Sequence, residues 1–211
     1  MTGPAQPQAA ASEHTWKRRA FHLCAALAIP IVALAIGYKP AVYFAAVAAA
    51  TLAAGEAVRL IVPAVNVRLL ALLGPFFKAR ERRTPTAATY LALASLAVLL
   101  LFGREIAALA LLFTALGDPA AGIVGTRYGR LRLRILGRRL GGKSLEGALA
   151  FLAVAAAVAL GLWAAGVYGT LWPVLVGAAV AALVEFLPIP VEDNVTVPLV
   201  SAAVIWLLWV A

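Results

Sequence analysis

Apolar residues run through this chain in long unbroken blocks, and polar residues are confined to the gaps between them. Seven blocks stand out, at 20–36, 40–58, 86–102, 106–124, 145–167, 171–187 and 195–210. Each approaches the ~17–25 residues that a helix needs to cross a bilayer. None alternates with period two, which argues against an outer-membrane-type β-barrel. The pattern predicts an all-α fold, a polytopic integral membrane protein with about seven transmembrane helices. A further stretch at 60–77 contains Pro63, Asn66, Arg68, Gly74 and Pro75. Arginine at mid-bilayer costs at least ~2.5 kcal/mol, so this stretch predicts an interfacial helix and a turn. Residues 1–15 are rich in Pro, Ala, Gln and Ser and predict a disordered tail. Residues 16–211 are expected to form a single transmembrane catalytic domain.

Composition removes the main alternative. Of 211 residues, 64% are hydrophobic and 13% charged, against about half and about a quarter in soluble domains. A water-soluble globule of this size could not hide so much apolar surface. The net charge of +9 comes with a strong bias in position. Sixteen of the eighteen basic residues fall in three gaps, at 17–19, 59–83 and 127–143, leaving only Lys39 and Arg104 elsewhere. Seven alternating spans put those three gaps on one face. The positive-inside rule makes that face cytoplasmic, with the N-terminus inside and the C-terminus outside. Membrane topology thus accounts for the basic balance without nucleic acid as a partner, and the cell (inner) membrane is the expected location. The single cysteine, Cys24, excludes an intrachain disulfide framework and is expected to serve in packing.

Carboxylates at membrane depth are costly, so their positions mark candidate chemistry. Asp118 lies in the fourth block, roughly 10 Å from its cytoplasmic end at ~1.5 Å per residue. Pro119 beside it removes a backbone donor and can open the helix. Asp118 is therefore a candidate Mg²⁺ ligand or general base, against a structural ion pair with a loop arginine.

Gly122, Gly125 and Gly129 share one helical side, which suits either close helix contact or close approach to a ligand. Residues 137–144 fit the expression G-x-x-x-x-G-K-S/T. A true P-loop needs a parallel strand and a soluble sheet around it, and neither is predicted. Its elements remain a candidate anion site: Gly141 and Gly142 free the backbone, Lys143 brings charge, and Ser144 can cap the next helix. Arg127 and Arg130 join this candidate nucleotide-binding set, for which a polyphosphate is the natural ligand, against lipid head-group contact by a basic loop. The alternation Arg130-Leu-Arg-Leu-Arg134 suggests a short extended ribbon or an interfacial strip, with Arg132 and Arg134 expected to snorkel.

Glu146, in the first turn of the fifth block, is balanced between capping and catalysis. Glu185 and the cluster Glu192-Asp193-Asn194, followed by Thr196, supply oxygen donors. Glu185 and Asp193 join Asp118 as candidate ligands for a hard cation, and Asn194 and Thr196 as candidate nucleotide contacts, against simple capping of the last helix. Arg18, Arg19 and His22 open the first block on the same face, with His22 balanced between packing and chemistry.

The segments "GDPAAGIVGTRYGR", "GGKSLEGALAF" and "VEFLPIPVEDNVTVPL", with "KRRAFH" at the start, resemble the phytol kinase, dolichol kinase and CTP-dependent diacylglycerol kinase family of membrane proteins. Arg19 stands where that family has Lys. The ordered motifs run from Trp16 to Leu199. The resemblance implies CTP as phosphoryl donor, Mg²⁺, and a long-chain lipid alcohol such as phytol, polyprenol or dolichol as acceptor. The middle motif is also similar to that of phosphatidate cytidylyltransferases, but their C-terminal signature is absent here, which favours the kinase. A diacylglycerol acceptor, or transfer of cytidylyl to a lipid phosphate, are the alternatives. A transporter of anionic solutes would need charges along a path at mid-membrane, whereas here they crowd one face.

Overall fold

The computed structural model of the chain describes residues 7–74, 77, 80–135 and 138–210. These form seven α-helices: α1 (Pro7–Ala35), α2 (Tyr38–Ile61), α3 (Pro63–Leu73), α4 (Ala87–Tyr128), α5 (Leu145–Ala164), α6 (Leu171–Phe186) and α7 (Asp193–Val210). A two-stranded antiparallel ribbon, β1 (Arg132–Ile135) and β2 (Arg138–Ser144), joins α4 to α5. The all-α expectation therefore holds for the body of the fold, with this ribbon as an addition. Alternation in residues 130–134 is what a strand requires. Arg132 does not simply snorkel: its Nη1 donates to the Gly142 carbonyl at 2.7 Å, across the ribbon.

Four helices, α2, α4, α5 and α7, are long and apolar enough to cross a membrane. The apolar part of α1 and the whole of α6 are shorter, with 16 residues in α6. Helix α1 begins at Pro7, inside the stretch whose composition suggests a tail, and residues 1–6 of that tail lie outside the described residues. Helix α3 occupies the position expected for an interfacial helix. It starts where Val62 is extended ahead of Pro63, as a residue before proline prefers.

Helix α4 holds two of the predicted blocks, and it folds back on itself. The Ala87 carbonyl accepts from Asn194 Nδ2 at 3.4 Å. The neighbouring Asp193 binds Lys143 at 2.8 Å. Ser144, next to Lys143, lies against Gly125, with its Oγ 3.1 Å from where a Gly125 Cβ would stand. Residues 87 and 125 therefore lie at the same end of the fold, whereas a straight helix would separate them by roughly 57 Å. The reversal falls at Gly103, with φ 76° and ψ −176°, a conformation essentially restricted to glycine. The two halves of α4 then run antiparallel, as separate spans would.

Contacts sort the helix ends into two groups. At one end Tyr38 Oη donates to the Leu99 carbonyl at 3.2 Å, Phe102 meets Trp206 at 6.4 Å between ring centroids, and Tyr168 meets Trp209 at 5.9 Å. At the other end lie the ribbon, the close of α6 and the start of α7, together with most of the basic residues. Small side chains line the interior: Ala33, Ala41, Ala45, Ala107, Ala155 and Ala178 are fully buried. Large apolar ones face out, among them Ile31, Tyr43, Val47, Leu101, Leu149 and Leu207. Small interior residues let helices approach closely where their surroundings are apolar. Cys24, expected in packing, is exposed.

Candidate functional site

Three helix termini meet at the basic end, and Lys143 joins them. Ser144 caps α5, its Oγ accepting from Gly147 N at 3.2 Å, and this fixes the residue just before it. The Lys143 Nζ donates to Asp193 Oδ1 at 2.8 Å, to the Glu185 carbonyl, and to the Leu187 carbonyl at 3.4 Å. It also stands 4.0 Å from Glu185 Oε1. A cation at the C-terminus of α6 and an acid at the N-terminus of α7 each suit the local helix dipole. Glu185 is buried, while Lys143 and Asp193 are partly open to the outside.

A cleft of about 110 Å³ lies beside this junction, lined by Asp118, Gly122, Gly142, Lys143, Ser144 and Glu185 among others. Glycines bring its walls together. A Cβ on Gly147 would stand 2.9 Å from the Ala121 carbonyl oxygen, and one on Gly129 would stand 2.7 Å from Ser144 Oγ. The second half of α4 and the start of α5 therefore touch backbone to backbone, and this carries Lys143 into the cleft that Asp118 lines. Gly122 differs: a Cβ there meets nothing within 4 Å. Of the two uses foreseen for this glycine row, Gly125 and Gly129 serve helix contact, and Gly122 faces open space.

The structure brings Asp118, Gly122, Gly125, Gly142, Lys143, Ser144 and Glu185 together at the cleft, with Asp193 joined to it through Lys143. It places the remaining candidates elsewhere. Glu146 accepts from the backbone N–H of Arg130 at 2.9 Å and of Leu131 at 3.0 Å, fastening the base of the ribbon to α5. Asn194 is buried against α4, and Thr196 Oγ1 donates at 3.4 Å to the carbonyl of Glu192, the residue just before its own helix. Arg127 and Arg130 are exposed, with the Arg127 guanidinium 5.8 Å from the Tyr128 ring. Gly141 lies in β2, so residues 141–143 are strand rather than a loop wrapped over an anion. His22 is half-buried on α1, and the side chains of Arg18 and Arg19 lie outside those described.

Among the described residues no three His, Cys, Asp or Glu side chains are grouped to hold a metal ion. A cage of Asp118, Glu185 and Asp193 is therefore not assembled; the Lys143 ammonium stands between the last two. Mg²⁺ commonly needs only one or two carboxylates when phosphates supply the rest. Asp118 and Glu185, both at the cleft, fit that smaller requirement.

One polar cluster was not foreseen. Arg59 is only 2% exposed. It pairs with Glu56 and donates to Asn66 Oδ1 at 3.1 Å, to the Glu81 carbonyl at 3.0 Å and to the Thr84 carbonyl at 2.9 Å. Glu81 in turn accepts from Ala87 N at 3.1 Å, at the start of α4. This knot ties α2, α3 and the following loop to the helix whose first carbonyl also meets Asn194. The spacing of Glu56 and Arg59 by three residues was the available signal. No family model, curated protein or solved structure matches the chain.

Proposed function

We propose that this chain is a seven-span integral membrane protein of the cell membrane, N-terminus inside, that transfers the γ-phosphoryl group of CTP to a long-chain isoprenoid alcohol. The motif resemblance supplies the kinase family and CTP. The observation that carries the chemistry is a cleft at the basic end in which Lys143 and Asp118 line one small volume. The outward-facing apolar side chains and small interior residues support the membrane setting.

In this reading the alcohol oxygen attacks Pγ, the O–Pγ bond forms, and the Pβ–O–Pγ bridge breaks to release CDP. Asp118 takes the hydroxyl proton. Lys143 neutralises charge spreading over the transferred group, exchanging part of its contact with Asp193 for phosphate oxygens. Mg²⁺, which Glu185 would hold together with the phosphates, would add charge neutralisation. A ligand pocket for a drug-sized molecule measures about 300–1,000 Å³. The cleft, at about 110 Å³, is smaller than that, so in this reading it takes the transferred phosphoryl group and the nucleoside stays outside it. The test is purified protein in lipid with CTP or ATP against a panel of lipid alcohols. Phosphorylated lipid with CDP is expected. Pyrophosphate release would identify a cytidylyltransferase, and no turnover with any acceptor would overturn the enzyme reading.

A further inference from the structure

Four of the five tryptophans gather at the end of the fold away from the basic residues. Trp163 closes α5 and Trp172 opens α6, on either side of the short connection 165–170. Trp163 Nε1 donates to the Gly169 carbonyl in that connection at 3.3 Å. Tyr168 of the same connection meets Trp209 of α7, and Phe102, beside the reversal at Gly103, meets Trp206. Tyr38, at the start of α2, donates to the carbonyl of Leu99, one turn before Gly103. These contacts put aromatic side chains from four helices at one level. Trp163, Trp172 and Trp206 leave 45%, 54% and 41% of their surface exposed. Among the described residues no protein acceptor meets the indole N–H of Trp172 or Trp206. The fifth tryptophan, Trp16, precedes Lys17 near the start of α1, toward the opposite end.

An indole joins a large apolar ring to one N–H donor, which suits the boundary between hydrocarbon and water. Spacing along the helices gives a second, independent observation. Trp163 lies nineteen residues beyond Ser144 on α5, ~28 Å at ~1.5 Å per residue, and Glu185 lies thirteen residues beyond Trp172 on α6, ~20 Å. A bilayer's hydrocarbon core is ~30 Å thick. Aromatics held at one boundary therefore bring the residues around Lys143 to within ~10 Å of the other. We propose that Tyr38, Trp163, Trp172 and Trp206 form a belt seated at the ester-carbonyl level of the leaflet opposite the basic end, and that this belt holds the cleft just beneath the headgroups of the basic-side leaflet. The partner is a phospholipid surface: side chains contributed by four helices at one level suit a partner that surrounds the molecule. The inference rests on the membrane setting proposed above and not on phosphoryl transfer.

The test reads depth directly. Trp16→Phe leaves only the four tryptophans of the far end to emit. The full chain carrying it is placed in vesicles of phosphatidylcholine brominated either close to the ester carbonyls or close to the chain ends. Emission should be lost more to the shallow bromine than to the deep one. Equal loss, or greater loss to the deep bromine, would overturn the belt. No loss to either would overturn the belt and the membrane setting together, leaving solvent or a protein partner over these rings. The depth of the cleft has its own readout. Gly142 is exposed and a Cβ there meets nothing within 4 Å, so Gly142→Cys in a Cys24→Ala background accepts a single bimane label. A nitroxide on the lipid headgroup should quench that label more than one at the chain end, and the reverse order would overturn the placement of the cleft. Neither arm uses turnover, so a protein that releases no CDP but shows both quenching orders would sustain the belt and overturn the kinase reading alone.

Discussion

Lys143 and Asp193 are fifty positions apart in sequence and 2.8 Å apart in space. Their pairing fastens the start of α5 to the start of α7, while the same ammonium holds the closing carbonyls of α6. One cation thus sets the position of three helix ends around a cleft that also holds Asp118. Both partners are partly exposed, at 24% and 35% of their side chains, so the pair is free to exchange with an incoming anion.

Asp118→Asn removes a charge and a base while keeping the shape. Turnover should fall below detection with the unfolding temperature little changed. Activity within a few-fold of wild type would make Asp118 structural. Asp193→Asn keeps an acceptor for Lys143 and should be milder in rate.

Gly147→Ala places a Cβ at 2.9 Å from the Ala121 carbonyl, where backbone must move. Overpacking of this kind costs about 1–3 kcal/mol. Thermal unfolding in detergent should show that loss for Gly147→Ala and none for Gly122→Ala, whose Cβ meets open space. Equal behaviour of the two would refute the close contact of α4 and α5.

Arg59→Ala removes the cation paired with Glu56, which keeps the Thr86 N–H, and takes one donor from each of three further acceptors. Breaking a buried pair costs about 3–5 kcal/mol. The variant should unfold at markedly lower temperature, and Arg59→Lys should recover only part of the loss, since one ammonium cannot reach all four acceptors. An unfolding temperature equal to wild type would show that the knot carries no stability.

Much of the fold was legible because apolar blocks translate directly into helices. The break between the fourth block and its predecessor was marked by Gly103-Arg104-Glu105, and α4 turns back at Gly103. Ser144 as the cap of α5 followed from its place before an apolar run. The partners of Lys143 were not legible, because Glu185 and Asp193 lie on other helices and no local period points to them. Glu146 looked equally fit for catalysis and capping; only the approach of Arg130 and Leu131 N–H distinguishes a latch. Gly122 and Gly125 are chemically identical in sequence, and their different uses depend on where α5 crosses. Arg59 was counted as a loop charge because its burial depends on carbonyls more than twenty residues away.

The most direct test of phosphoryl transfer at this cleft compares two charge deletions in one short segment. With γ-labelled CTP and a lipid alcohol, label transfer to the lipid should fall by about 10²–10³ in Lys143→Ala, as for loss of one positioned donor. Arg132→Ala, whose side chain binds the Gly142 carbonyl across the ribbon, should retain most of the rate. Equal, modest losses in both variants would contradict a phosphate-binding role for Lys143 and leave its contacts with Asp193 and α6 as a purely structural clasp.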